Sequence, residues 1–122
     1  MTYECVCDFD PPEWHRTSRP KAAKPHRCEE CAAPIEPGET YRYDVGKWDG
    51  YIWTVHTCQP CDDLAKWAQI SMPCFCYAFG NLHDAVREMV HEVRLEVPGF
   101  VMEWGRRMVA IRRAKRAKAV LQ

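Results

Sequence analysis

The sequence predicts a small α+β domain organised around a metal site. Three observations carry that expectation. Two Cys-x-x-Cys pairs, Cys28/Cys31 and Cys58/Cys61, are separated by 26 residues; two short stretches of strand character lie between them; and helical periodicity runs from residue 81 onwards. Zn²⁺ takes four soft ligands in a tetrahedron, and each Cys-x-x-Cys turn offers two thiolates from one tight piece of backbone, so two such turns close the coordination shell. The expected architecture is a treble-clef-like knuckle, β-hairpin and helix, followed by two C-terminal helices.

The chain has 122 residues, which suits one domain or one domain with an appendage, with a core small enough to gain from a metal staple. We divide it into a zinc-binding part with an N-terminal arm over 1–80 and a helical part with a basic tail over 81–122. No apolar run approaches the roughly 20 residues of a membrane span. Met-Thr-Tyr-Glu-Cys is not a secretion leader. Eight cysteines without such a leader point to metal in a reducing cytoplasm rather than to disulfides.

Residues 1–14 contain Cys5-Val-Cys7 and then Asp8-Phe-Asp-Pro-Pro-Glu-Trp14. Two prolines and two aspartates argue against regular structure, so this is read as an extended arm lying on the body through Phe9 and Trp14. Residues 15–27 read as a polar connector. After the first knuckle, Thr40–Val45 alternates as a strand, Gly46–Gly50 reads as a turn, and Tyr51–Thr57 is β-branched and aromatic, the returning strand. Cys58 closes it. Pro60 suits the first turn of a helix, and Asp62 and Asp63 suit its positive end. Asn81 is a good N-cap for an amphipathic helix carrying Leu82, Ala85, Val86, Met89, Val90, Val93 and Val97 and stopped by Pro98-Gly99. Phe100–Gln122 is helical again, with Val101, Trp104, Met108 and Ile111 on one face. Beyond Arg112 the cations spread around the whole helix, so its last turns are expected to project into solvent.

The arm Cys5-x-Cys7-Asp-x-Asp-Pro-Pro-Glu, Arg27-Cys28-x-x-Cys31, Ile35-x-Pro-Gly-Glu-x-Tyr41, Gly46-Lys-Trp-Asp-Gly50, Thr57-Cys58-x-x-Cys61 and Ala78-Phe-Gly-x-Leu82 occur in that order. This combination resembles a family of small phage and prophage zinc-finger proteins over residues 4–90. The resemblance implies a phage or prophage origin and action in the bacterial cytoplasm. It brings no catalytic residues and does not extend to the tail.

Cys5, Cys7, Cys74 and Cys76 have the ligand type and number for a second zinc, which would tie the arm to the segment after the finger helix; the alternative is free core cysteines. His26 and His56 precede cysteines by two positions and read as groups beside the site. Trp48, at the expected turn, reads as an exposed contact anchor.

Residues 1–104 hold ten Lys and Arg and all 17 Asp and Glu; residues 105–122 hold seven cations and no acid. Arg106, Arg107, Arg112, Arg113, Lys115, Arg116 and Lys118 therefore form a basic tail on an acidic body. The alternative to a solvated helix end is contact with phosphates, four or five of the seven facing a duplex at once. Catalysis has little support. Four cysteines leave no open metal position for water, and the chain has neither a Gly-rich phosphate loop nor His-Glu-x-x-His. His83 and His91, with Asp84, Glu88 and Glu92, read as a polar helix face. The expected function is a non-enzymatic zinc-stabilised module contacting nucleic acid or a nucleoprotein. One alternative is a counter-defence (anti-CRISPR-like) inhibitor of a host protein, its acidic body imitating nucleic acid. A treble-clef nuclease is the more remote one. No membrane partner is expected, and the sequence does not fix the oligomeric state.

Overall fold

A computed structural model describes residues 12–72 and 75–121. The described residues form a three-stranded antiparallel sheet, a two-stranded ribbon and three helices. Strands β1 (Trp14–Ser18), β4 (Tyr41–Trp48) and β5 (Tyr51–Cys58) make the sheet in the order β1-β4-β5, while β2 (His26–Arg27) pairs with β3 (Pro34–Ile35). Helices α1 (Gln59–Ser71), α2 (Leu82–Val93) and α3 (Gly99–Leu121) follow. No helix among the described residues is long and apolar enough to cross a membrane.

The hairpin is longer than its sequence pattern suggests. Gly46, Lys47 and Trp48, expected in the turn, belong to β4, and the turn is Asp49-Gly50 alone. Both its residues have positive φ, 52° and 81°, and Trp48 faces Tyr51 across it. A primed two-residue turn of this kind matches the twist of the strands it joins. Gly46 is required for packing: a Cβ there would stand 2.5 Å from the Trp48 ring and 2.9 Å from the Trp14 carbonyl oxygen.

The expected connector over 15–27 is corrected as well. Its first part is β1, paired with β4 from Trp14↔Lys47 to Ser18↔Tyr43. All five β1 side chains are exposed, so no buried apolar alternation marked the strand. What holds it is β4 and the carboxylate of Asp44, which is buried. The Asp44 carboxylate accepts hydrogen bonds from Thr17 Oγ1 at 2.7 Å and from His15 Nε2 at 2.9 Å, and pairs with Arg42 Nε at 2.8 Å.

Arg42 also approaches Asp62 at 3.6 Å. Asp62, in the first turn of α1, receives Arg19 at 2.9 and 3.3 Å. Burial alone would raise the Asp62 pKa; the Arg19 hydrogen bonds and the charges of Arg19, Lys66 and Arg42 overcome it and hold the carboxyl below its ordinary range. Asp62 is thus more than a helix-dipole partner. It clamps α1 to the segment after β1 and to β4. Tyr77 receives Arg42 Nη1 at 3.3 Å, and burial pushes its hydroxyl pKa up to about 12.

One core joins β3, β4, β5 and the three helices. Ile35, Leu64, Leu82 and Val86 are fully buried. On α2 the buried positions are Leu82, Val86, Met89 and Val90, a single helical stripe. Trp67 of α1 meets Phe100 of α3 edge to face at 5.7 Å. The core therefore runs across the boundary expected at residue 80.

Candidate metal centre

Four cysteines converge where the ribbon, the hairpin and α1 meet. Cys28 and Cys31 lie on the loop between β2 and β3, Cys58 ends β5, and Cys61 sits in the first turn of α1. The knuckle is tightened by Ala32 N–H donating to Cys28 O and Cys28 N–H donating to Ala33 O, both at 2.9 Å. Ala32 takes φ 61°, the left-handed conformation that lets the chain turn back after the second cysteine. Amide groups also point at sulfur: Glu30 N–H and Cys58 N–H reach Cys28 Sγ at 3.4 and 3.3 Å.

The four sulfurs lie within 4.8 Å of one another, and Cys31 and Cys58 are 3.6 Å apart. Tetrahedral coordination with metal–sulfur bonds of about 2.3 Å has sulfur–sulfur edges of about 3.8 Å, so the cluster has the size of a site for one metal ion. Without an ion between them, the four sulfurs hydrogen-bond one another. Hydrogen bonds from Cys31, Cys58 and Cys61 favour ionisation of Cys28. The same bonds, given by Cys58 and Cys61 to that first thiolate, drive their own pKa values upward. Held all as thiolates, four sulfurs this close, three of them buried, would need a cation among them.

Several groups around the cluster are separated from it in sequence. His83 of α2 puts Nε2 3.3 Å from Cys61 Sγ. It is half-buried, and burial lowers its pKa. With Nε2 facing Cys61 Sγ, His83 is part of the centre's surroundings, not of a polar helix face; His91 does remain exposed. Glu30, inside the knuckle, accepts Gly80 N–H at 2.6 Å and Leu82 N–H at 2.9 Å. It caps α2 in place of Asn81, whose side chain makes no cap bond. His26 and His56 stack on each other at 4.2 Å beside the site on the sheet.

The end of α3 lies against the knuckle and does not project into solvent. Lys115 Nζ donates to Cys31 O at 2.7 Å, and Lys118 Nζ donates to Pro34 O at 2.7 Å and to Glu39 Oε2 at 2.6 Å. Ile111, on the same side of the helix, is buried beside Cys31, Cys58 and Pro60. Arg106 and Arg107 both pair with Glu103, at 3.3 and 2.9 Å, and Arg107 lies over the Trp67 ring. Of the seven tail cations, Arg112, Arg113 and Arg116 are exposed with neither a hydrogen-bond nor an ionic partner among the described residues, whereas Lys115, also exposed, is held by the Cys31 carbonyl.

Trp48 is also placed differently from its expected role. Its ring is half-buried, folded back over Gly46 and against His15 and Phe79. Of the second cysteine set, Cys5, Cys7 and Cys74 lie outside the described residues; Cys76 is half-buried. Residues that sequence reading missed are His83, Glu30 and the Asp44–Arg42–Asp62 network. A signal existed only for the last: Arg42 and Asp44, two apart on a strand, must share a face.

Comparison with family models, with curated proteins and with solved structures finds no match to this chain.

Proposed function

We propose that the chain is a non-enzymatic, zinc-stabilised binding module of phage or prophage origin, with a treble-clef-like finger, that contacts nucleic acid or a nucleoprotein through α3. Zinc is the metal that an all-thiolate tetrahedron suits best. With four cysteines as ligands and His83 engaged on one of them, the centre offers no position for a reacting water, which speaks against the nuclease reading.

The observation that carries the proposal is the arrangement of α3. Ile111, Lys115 and Lys118 fix one side of the helix to the knuckle. Arg112, Arg113 and Arg116 fall within about 100° of arc on the side turned away. A rigid helix carrying three unpaired guanidinium groups is a phosphate-binding edge.

Because three cations are free, not four or five, the salt dependence becomes weaker than the roughly −4 that the sequence suggests. Duplex DNA affinity should fall with salt with a log–log slope of about −2.7. Fluorescence anisotropy across a salt series measures it. Replacing the three arginines by Ala should flatten the slope towards zero and weaken all sequences alike, since no side chain is set for base readout. Absence of duplex binding at about 50 mM salt would remove this reading and leave the host-protein inhibitor in its place.

A further inference from the structure

One face of the three-stranded sheet packs against Tyr77, Phe79 and α1; the other is covered at its lower end, where Tyr41 and Cys58 are buried and His26 stacks on His56, and is open over its upper rows. His15, Thr17, Arg42, Asp44 and Trp48 point to the first side, towards Tyr77, Phe79 and α1. Side chains alternate along a strand, so the neighbouring positions occupy the other side. In register across the sheet these are Trp14–Lys47–Ile52, then Arg16–Val45–Thr54, then Ser18–Tyr43–His56.

We infer that this open face binds a single-stranded polynucleotide, independently of α3. None of its nine positions is acidic, although the first 104 residues carry every acid in the chain. Trp14 is 38% and Ile52 67% exposed, so no element among the described residues buries the upper rows. Arg16 lies with its guanidinium 5.8 Å from the Trp14 ring centroid. Among the described residues Lys47 has one ionic partner, Glu13, at the strand margin and 3.4 Å away. At the lower end Tyr43 adjoins His56 at 5.4 Å, and His56 stacks on His26. Aromatic rings interleaved with cations on a flat surface match what single strands present: base faces to stack on and phosphates between them. A duplex keeps its base faces stacked inside and offers nothing for Trp14 to cover. With Arg16 and Lys47 on the face and Glu13 only at its margin, a polyanion is the occupant that charge favours, above an acid-bearing copy of this chain.

The test is fluorescence anisotropy of the full chain, metal bound, with labelled oligothymidylate and with a duplex of equal length. Wild type should bind the single strand. Trp14→Ala with Arg16→Ala should weaken that binding by about tenfold or more, while duplex affinity stays within twofold. Trp14→Phe should restore most of it. Ile52→Glu, which leaves β1 untouched, should produce the same loss by placing an acid on the face. Replacing Arg112, Arg113 and Arg116 by Ala should do the reverse, losing duplex and keeping single strand. Circular dichroism and metal content verify that each variant folds. No single-strand binding at about 50 mM salt, unchanged binding in both Trp14→Ala/Arg16→Ala and Ile52→Glu, or equal losses on both nucleic acids would overturn the inference, as would a protein partner captured by this face in place of single strands.

Discussion

Glu30 is one of the two residues between the first pair of cysteines, and it serves a helix fifty positions away. Its two oxygens take the N–H groups of Gly80 and Leu82, donors that the first turn of α2 cannot satisfy internally. The knuckle and α2 are thereby tied through one side chain. Glu30→Ala should cost about 1–2 kcal/mol, a fall in melting temperature on the order of 5 °C. Asn81→Ala should cost much less, because that side chain makes no cap bond. Thermal denaturation of the two variants separates the roles, and a larger loss for Asn81→Ala would return the cap to Asn81. The sequence points to Asn81 because capping is a local rule. A carboxylate arriving from a distant loop leaves no local trace. The ligand cysteines are the opposite case: the chemistry of Cys28, Cys31, Cys58 and Cys61 depends on spacings of three residues, and spacing is what a sequence displays.

At the scale of elements, the same contrast separates what was legible from what was not. The hairpin and α1 carry their own signals, strand alternation and Pro60 in a first turn, and both form within a few residues of the expected bounds. β1 carries none, since its five side chains are exposed and it is held by Asp44 and the β4 backbone. Gly46 was read as a turn residue because glycine favours turns; its actual task is to make room for Trp48 within a strand. Gly46→Ala should therefore destabilise the domain by about 1–3 kcal/mol and displace the Trp48 ring, visible as altered near-ultraviolet circular dichroism. Gly105→Ala is the control. Within α3 a Cβ at Gly105 meets nothing within 4 Å, so that change should stabilise by about 0.5–1 kcal/mol. Equal effects from the two substitutions would contradict the packing role of Gly46.

At the scale of the whole molecule, the metal centre and the C-terminal helix are coupled. The knuckle presents the carbonyls of Cys31 and Pro34 to Lys115 and Lys118, and it presents Cys31 and Cys58 as a wall for Ile111. Both presentations depend on the knuckle loop, whose shape four sulfurs sharing one ion would set. A loop of this size has little folding energy of its own, and metal binding supplies much of it. Removing the metal should consequently loosen residues 26–35 and, with them, the part of α3 beyond Ile111. The earlier part of α3 has a separate anchor, Phe100 against Trp67 and Arg107 over the same ring, and should remain protected longer. Hydrogen–deuterium exchange with and without a chelator measures the difference segment by segment. The expected pattern is a joint rise in exchange at the knuckle and at 112–118, with a smaller change over 99–108. In Lys115→Ala/Lys118→Ala the tail should exchange fast even with metal bound, while the knuckle stays protected, because the lysines hold the helix to the loop and not the loop to itself. Unchanged protection of 112–118 after the metal is removed would show that α3 is held by its own packing and that the centre has no mechanical hold on the arginines it orients.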